Sequence, residues 1–480
     1  MAAIVVRRAG PVKPARLCYH CLPFSLKVIS TMFSRTRTRL TNFFSLPPAQ
    51  VAHPDLARDF RRNFLANMLD MTTWLFGISF ISVSAILPVF ASRLTESPIV
   101  IGLIPAILDA GWFLPQLFLA PLVERQPRKL PLVLWLGALE RVPFLLMPLV
   151  ALWVPTLPAG TGIAVFLALQ AWRALGSGVV AVPWQELMAK VIPVTHRGRF
   201  FGVAHLAGQL LGVGGAALAA VILAALPYPQ NFALSFAVGA AGVWLSFIFL
   251  VFTKEPALPP PAGAPATRLD REYARRLWQI LKRDANFRLY LISSWLTYLG
   301  TMASGFLAVY AVKRFSLADD VAGIFTGLLF LTGVVGYAIW GMLGDRHGHK
   351  RVMVLATVLW LATLGVALLA NAAWVFYLVF ALMGLSSSAG QLSDLNLAME
   401  FGNEAERPTY VGLTRTVTGP ALLIAPIFGG WLAQTWGYPA LLTAALVFAV
   451  AGGGLLAWGV REPRHLAAAV TPAPAPVAEG

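Results

Sequence analysis

Charge is what this sequence has least of. Of 480 residues only 12% are Asp, Glu, Lys or Arg, and 21 are acidic. Soluble domains run near about 25% charged. With 58% hydrophobic residues and a mean hydropathy of +0.71, a soluble enzyme and a disordered chain are both excluded. Cysteine is nearly absent. Cys18 and Cys21, with His20 beside them, make an incomplete zinc set with no second pair, and no disulfide framework is available. No Gly-x-x-x-x-Gly-Lys-Ser/Thr loop, His-x-x-x-His pair or Gly-x-Ser-x-Gly elbow occurs. ATP-driven pumping and intramembrane hydrolysis therefore have no support, and neither an enzyme, a cofactor nor a metal is expected.

Long apolar runs are present instead. A helix crossing the hydrocarbon core needs about 20 mostly apolar residues. Twelve runs qualify: 66–91, 98–121, 131–154, 160–185, 200–225, 231–252, 288–311, 321–343, 350–370, 373–396, 409–435 and 438–460. They are continuously apolar and far longer than the alternating segments of a membrane β-barrel. The sequence therefore predicts an all-α membrane protein of twelve transmembrane helices. Lys and Arg gather in the loops after even-numbered runs, among them Arg125, Arg128 and Lys129, Arg197 and Arg199, Arg346, Lys350 and Arg351, and Arg407. The positive-inside rule then places both termini in the cytoplasm. The net charge of +16 is mostly this bias, and a nucleic-acid surface is the weaker reading of it.

Residues 1–62 hold no acid before Asp55 and read as a basic, disordered cytoplasmic tail, or as an extension ahead of Met32. No apolar stretch precedes a small-residue cleavage site, so a secretory signal is not expected. Residues 461–480 are Pro/Ala-rich and read as a disordered tail.

The two sets of six spans correspond. Asn63-Phe64 recurs 223 residues on as Asn286-Phe287, and in that register Gly77 matches Gly300. Leu122, Glu124, Arg125 and Lys129 match Leu343, Asp345, Arg346 and Lys350, 221 residues on; Arg197 and Gly202 match Arg407 and Gly412, 210 on. The expected organisation is a six-helix bundle over 63–252, a cytoplasmic linker over 253–287 and a second bundle over 288–460. The linker is proline-rich and then places Leu269, Tyr273, Leu277 and Ile280 on one helical face, suited to the membrane surface. Two parallel repeats related by an axis along the membrane normal typify transporters that rock around a central site.

Gly341-Met-Leu-Gly-Asp345-Arg346-His-Gly348-His-Lys350 resembles the cytoplasmic loop signature of the major facilitator superfamily, roughly Gly-x-Leu-x-Asp-Arg-x-Gly-x-Lys/Arg. The first-half copy, Ala120 to Lys129, departs from it: Glu124 replaces the acid and Pro127 stands where a glycine is usual. The resemblance covers about 66–460. It implies two six-helix bundles around a cavity lined by spans 1, 4, 7 and 10, and secondary transport. Arg173-Ala-Leu-Gly-Ser-Gly178 partly resembles the family's span-four motif, Arg-x-x-Gln-Gly-x-Gly, whose arginine is linked to proton coupling. Val213 stands where family antiporters carry a span-five proline.

Ionisable residues at membrane depth are costly unless paired or wetted, so each marks a candidate site. Asp70, Asp109 and Arg173 are candidates for substrate binding or proton coupling. Asp109 lies about 18 Å from the inner end of its span at 1.5 Å per residue, near the depth of Arg173, Glu140 and Arg141, and these four are expected to form a buried network. Asp70, on the first span, suits a cation, a proton or simple anchoring. Glu124, Arg125, Lys129, Gly341, Asp345, Arg346, Gly348 and Lys350 are candidates for a cytoplasmic gate, with Glu124 and Asp345 as its latch. Two further gate pairs are expected, Glu186 with His205 and Asp394 with Arg415. Gly208, Gly212, Gly214, Gly215, Gly429 and Gly430 suit close helix contact. Trp74, Phe76, Trp295, Tyr298, Phe306 and Tyr310 are candidates for an aromatic cavity wall.

The reading is a secondary transporter of a small solute working by alternating access, coupled to protons, with a lean to efflux. A monomer in a bacterial cell membrane is expected. A transporter-like sensor or lipid-handling protein without driven flux is the alternative.

Overall fold

The computed structural model describes residues 54–124, 126–256, 271–402 and 406–463. The chain divides into two units, Met1–Arg61 and Arg62–Gly480. Of the first unit, residues 54–61 are described; they open helix α1, where Arg58 contacts Asp55 and Asp59 at 3.1 Å. The rest of the basic tail, with Cys18, His20 and Cys21, lies outside the described residues, as do Arg125 and the C-terminal tail beyond 463.

Fifteen α-helices and no strand occur among the described residues: α1 Pro54–Ser79, α2 Ile86–Ser92, α3 Pro98–Glu124, α4 Leu130–Trp153, α5 Ala159–Val191, α6 Val194–Ala225, α7 Gln230–Val251, α8 Arg271–Arg283, α9 Ala285–Gly300, α10 Leu307–Phe315, α11 Val321–His347, α12 His349–Leu369, α13 Val375–Glu400, α14 Arg407–Trp436 and α15 Tyr438–Gly454. Eleven stretches among them are long and apolar enough to cross a membrane, with α9 and α10 counted as one over Ala285–Phe315. They coincide with the second to twelfth apolar runs. Several extend a turn or two into the polar flanks, because backbone hydrogen bonding continues past the point where side-chain hydropathy falls.

The first run differs from expectation. It is not one helix over 66–91: α1 stops at Ser79, and the chain turns before α2. Within this turn Phe80 N–H bonds to Gly77 O at 3.3 Å and Leu87 N–H bonds to Ser82 O at 2.9 Å, so the regular ladder is lost. Pro88 has no N–H to continue it. The seventh run breaks at the equivalent place, through the 3₁₀ turn Thr301–Ala303 between α9 and α10. The polar Asn63, Asn67, Asp70, Thr72 and Thr73 keep α1 out of the apolar class.

The sequence repeat has a structural counterpart. Asn63 Nδ2 donates to Lys254 O at 2.9 Å, and Lys254 N–H donates to Asn63 Oδ1 at 2.8 Å. Asn286 makes the same reciprocal pair with Arg461, at 3.0 and 2.6 Å. In each set the first helix is thus clipped to the chain leaving the last. Gly77 and Gly300 complete the match: a Cβ on Gly77 would lie 2.7 Å from Gly239 O on α7, and one on Gly300 would lie 2.8 Å from Ala449 on α15. Both glycines exist to let these two helices touch.

Of the apolar face expected on linker helix α8, Leu269 and the Tyr273 side chain lie outside the described residues. Ile280 is buried, with Leu277 and Leu281 beside it, in a cluster with Phe287, Tyr290, Phe401, Tyr410 and Leu456. Trp278, on the opposite side, is exposed under the Lys282 ammonium. Asp284 caps α9 by accepting from Phe287 N–H at 2.8 Å and from Tyr410 O–H at 3.1 Å, which fixes the linker to α14.

A polar chamber and a buried charge cluster

A chamber of about 1470 Å³ lies between α3, α5 and α6 on one side and α9 and α11 to α14 on the other. Its lining runs from Ser84 and Thr301, at the helix breaks, to Gly198 and Gly202 on the first turns of α6 and to Asn396 and Val411, near the basic loops. At the opposite, sparsely charged end the two sets close on each other. A Cβ on Gly430 of α14 would lie 2.7 Å from Ile99 of α3, and Gly102 abuts the Pro426 carbonyl. Gly323 of α11 meets the Ala220 backbone of α6 in the same way. Small residues allow these approaches because no side chain holds the backbones apart.

Polar contacts lock that end. Arg93 Nη2 lies 2.7 Å and its Nε 3.1 Å from Asp319 Oδ1. Asn231 Nδ2 donates to Asp319 Oδ2 at 3.2 Å, and Ser97 Oγ donates to Gln434 Oε1 at 2.7 Å. Both oxygens of one second-set carboxylate are therefore held by donors of the first set. Nothing local in the sequence points from Arg93 to a partner 226 residues away.

The chamber's ionisable residues are Asp109, His205, Asp394 and Arg415. Arg415 Nη1 lies 2.8 Å from Asp394 Oδ2, and Tyr298 O–H donates to Asp394 Oδ1 at 3.0 Å. The guanidinium also stands 6.0 Å from the Phe113 ring. His205 does not meet Glu186. It lies 6.3 Å from the Tyr337 ring and 6.5 Å from that of Phe201, while Glu186 is exposed and its neighbour Gln185 faces the chamber. The expected pair fails because adjacent helical residues point about 100° apart. Tyr337 O–H donates to Gln391 Oε1 at 2.9 Å. Asp109 lines the chamber with no hydrogen bond or ion pair among the described residues.

The buried network takes a different membership from the expected one. Arg141 Nη2 lies 3.8 Å from Asp70 Oδ1, and its Nη1 lies 3.4 Å from Glu140 Oε2. Arg141 also donates to Gly137 O, Val243 O and Ser246 Oγ, and Ser177 Oγ donates to Glu140 Oε1 at 2.5 Å. Asp70, Glu140, Arg141 and Arg173 are all buried. Asp70 from α1 thus replaces Asp109, which α3 turns into the chamber. Arg173 forms no ion pair within 4 Å; its guanidinium stands 5.4 Å from the Phe144 ring, and Nε and Nη2 have no hydrogen-bond partner. Both amide atoms of Gln170, one turn away, are likewise unpartnered. Unpaired buried polar atoms of this kind cost about 1–3 kcal/mol each.

Around the basic loops, Gly348 has φ of +90° and joins α11 to α12 through one residue. A Cβ there would lie 2.8 Å from Glu462 Oε1. Proline at 127 holds φ near −65°, so the first copy cannot make this turn: α3 ends at Glu124 and α4 starts at Leu130. Lys129 is buried, and its N–H and that of Leu130 both donate to Glu255, at 2.8 Å to Oε2. Lys190 Nζ reaches Glu255 Oε1 at 3.0 Å. Lys350 Nζ donates to Ala457 O at 3.1 Å. Gly341, Asp345 and Arg346 lie along the last turns of α11, the latter two exposed. Glu124 ends α3, and Arg125 is outside the described residues.

Glu255 and Glu462 escaped the sequence reading, although a signal was there: Lys254-Glu255-Pro256 follows the sixth run and Arg461-Glu462-Pro463 the twelfth. The aromatic wall was also misplaced. Of the six candidates only Tyr298 lines the chamber, joined by Trp112, Phe113, Phe201, Tyr337 and Trp360. Trp74 packs on Phe144 instead, and Phe306 and Tyr310 are core residues.

A family model described as Major Facilitator Superfamily matches residues 290–479. The chain is 24% identical over 374 residues to the uncharacterized MFS-type transporter MJ1317 of Methanocaldococcus jannaschii, covering 76% of this chain and 87% of that one. It is 27% identical to the multidrug resistance protein MdtG of Klebsiella pneumoniae over 32% of this chain and 40% of that one, so the match spans about two fifths of that relative. The fold is similar to that of a D-xylose–proton symporter, with a TM-score of 0.62 at 14% identity over 84% of this chain and 98% of that one.

Proposed function

The chain belongs to the major facilitator superfamily, and from that premise we propose that it is a secondary transporter moving a small solute by alternating access. The observation that carries this reading is the chamber between the two helix sets, closed at one end by Arg93, Asn231 and Asp319 and lined toward the other by polar side chains. Rocking of residues 63–252 against 288–460, joined by the linker 253–287, would break those contacts and close the basic end. In this reading α1 with α2 is a twelfth crossing, the basic end and both termini are cytoplasmic, and the protein is a monomer in a bacterial cell membrane.

Proton coupling is assigned to the buried cluster. Asp70 and Glu140 share Arg141 at loose distances, and Arg173 stands near with unused donors. A proton taken by either carboxylate would change which guanidinium the other holds, and so the packing of α1, α4 and α5. Glu124, Arg125, Lys129, Gly341, Asp345, Arg346, Gly348 and Lys350 form the cytoplasmic gate, with Asp394 and Arg415 at its inner edge. Efflux is the favoured direction, supported by the aromatic side chains of the chamber.

Flux in proteoliposomes under an imposed pH gradient tests this, with a mixed panel of dyes, sugars and amino acids. Gradient-dependent flux that is lost in Arg173→Ala supports coupled transport. Flux that survives this substitution demotes the cluster to structure. Flux indifferent to the gradient removes the coupling.

A further inference from the structure

We infer that the solute carries a positive charge and that Asp109 is the side chain that recognises it; this rests on the reading of the chamber as a solute site. The chamber wall carries four charged or chargeable groups, Asp109, His205, Asp394 and Arg415. Asp394 is neutralised by Arg415 at 2.8 Å and stabilised by the Tyr298 hydroxyl. Arg415 is in turn satisfied by Asp394 and faces Phe113. Of the chamber's two carboxylates, Asp109 alone has no counter-charge and no donor among the described residues, while the His205 ring lies against Tyr337 and Phe201.

An ionised carboxylate at membrane depth without a partner is expensive. It is tolerated where water, a proton or a ligand makes up for the missing partner. Its surroundings specify more. Trp112 and Phe113 follow Asp109 on α3, and Trp360, Tyr298 and Tyr337 complete the wall. Aromatic faces attract cations through their ring quadrupoles and bury apolar bulk. Phe113 is one turn from Asp109, about 6 Å along the axis, so the acid and the aromatic surface address a single molecule. Tyr337 and Gln391, already bonded to each other, offer hydrogen bonds to its far end. The class is an organic monocation with an aromatic or aliphatic body, an amine or a quaternary ammonium or phosphonium.

Two probes of one shape and opposite charge decide the matter: tetraphenylphosphonium and tetraphenylborate, titrated against the full-length protein in nanodiscs, with protein-free nanodiscs subtracted. The expected result is saturable binding of the phosphonium alone. Asp109→Asn is expected to weaken it by about tenfold or more, the equivalent of one charge-assisted contact, while Asp109→Glu keeps it. Equal affinity for both probes, no phosphonium binding by the wild type, or full affinity in Asp109→Asn overturns the inference. Should Asp109→Asn fail to fold, the selectivity of the wild type between the two probes still decides. The transport reading fails separately: phosphonium binding without flux in any proteoliposome sinks transport and leaves the cation site, whereas flux of an anionic or neutral solute with no phosphonium binding does the reverse.

Discussion

Glycine 348 shows how much one backbone angle determines. With φ +90° and ψ 150° it occupies a region that side-chain-bearing residues almost never adopt. Gly348→Ala is expected to destabilise the protein by about 1–3 kcal/mol, read as a lower unfolding temperature in detergent. Gly341, seven residues earlier in helix α11, has no atom within 4 Å of the Cβ it would gain, so Gly341→Ala is expected to leave that temperature unchanged or raise it slightly. Equal losses in the two variants would contradict the conformational account. The glycine was legible in the sequence as part of a loop signature. Glu462, which stands beside it, was not, because a short Arg-Glu-Pro stretch beyond the last apolar run carries no hydropathic weight. Asp70 and Asp109 show the same limit. Counting along helices gave their depth, while the direction each side chain faces depends on which helices pack beside it, and that is a tertiary fact.

Among the helices, hydropathy marked eleven membrane-length stretches within a few residues, since an apolar run has few alternatives to a buried or lipid-facing helix. It missed the breaks at 80–85 and 301–306, which lie inside apolar sequence and are set apart only by Ser82 and Ser84 in the one and by Thr301, Ser304 and Gly305 in the other. The crossings of α3 with α14 and of α6 with α11 give a test. Gly102 and Gly430 both sit where opposing backbones touch, so Gly430→Leu is expected to force the sparsely charged ends apart. Spin labels at Glu96→Cys and Trp436→Cys, both exposed positions, with Cys18 and Cys21 replaced by serine, would report a longer mean distance by electron–electron resonance. Gly419→Leu, on the same helix with open space around it, is the control expected to leave the distance unaltered.

For the molecule as a whole, the same labels read the balance between its two proposed states. Asp319→Asn removes the ion pair with Arg93 and leaves the packing. Arg93 is 44% exposed, so solvent screens the pair and its worth is about 0.5–1 kcal/mol. The ratio of closed to open populations at that end is therefore expected to fall by about two- to fivefold. An unchanged distance distribution would mean that helix packing alone sets the closed state. The paired junctions near the basic loops carry a practical consequence. In the first set Gln126, Pro127 and Arg128 are exposed between two helices that end five residues apart; in the second, one strained glycine separates them. Foreign sequence spliced between Gln126 and Pro127 has room to loop outward without disturbing the Glu255 contacts. The same splice after Gly348 severs the turn itself, so a fluorescent tag or epitope belongs in the first junction and not in the second.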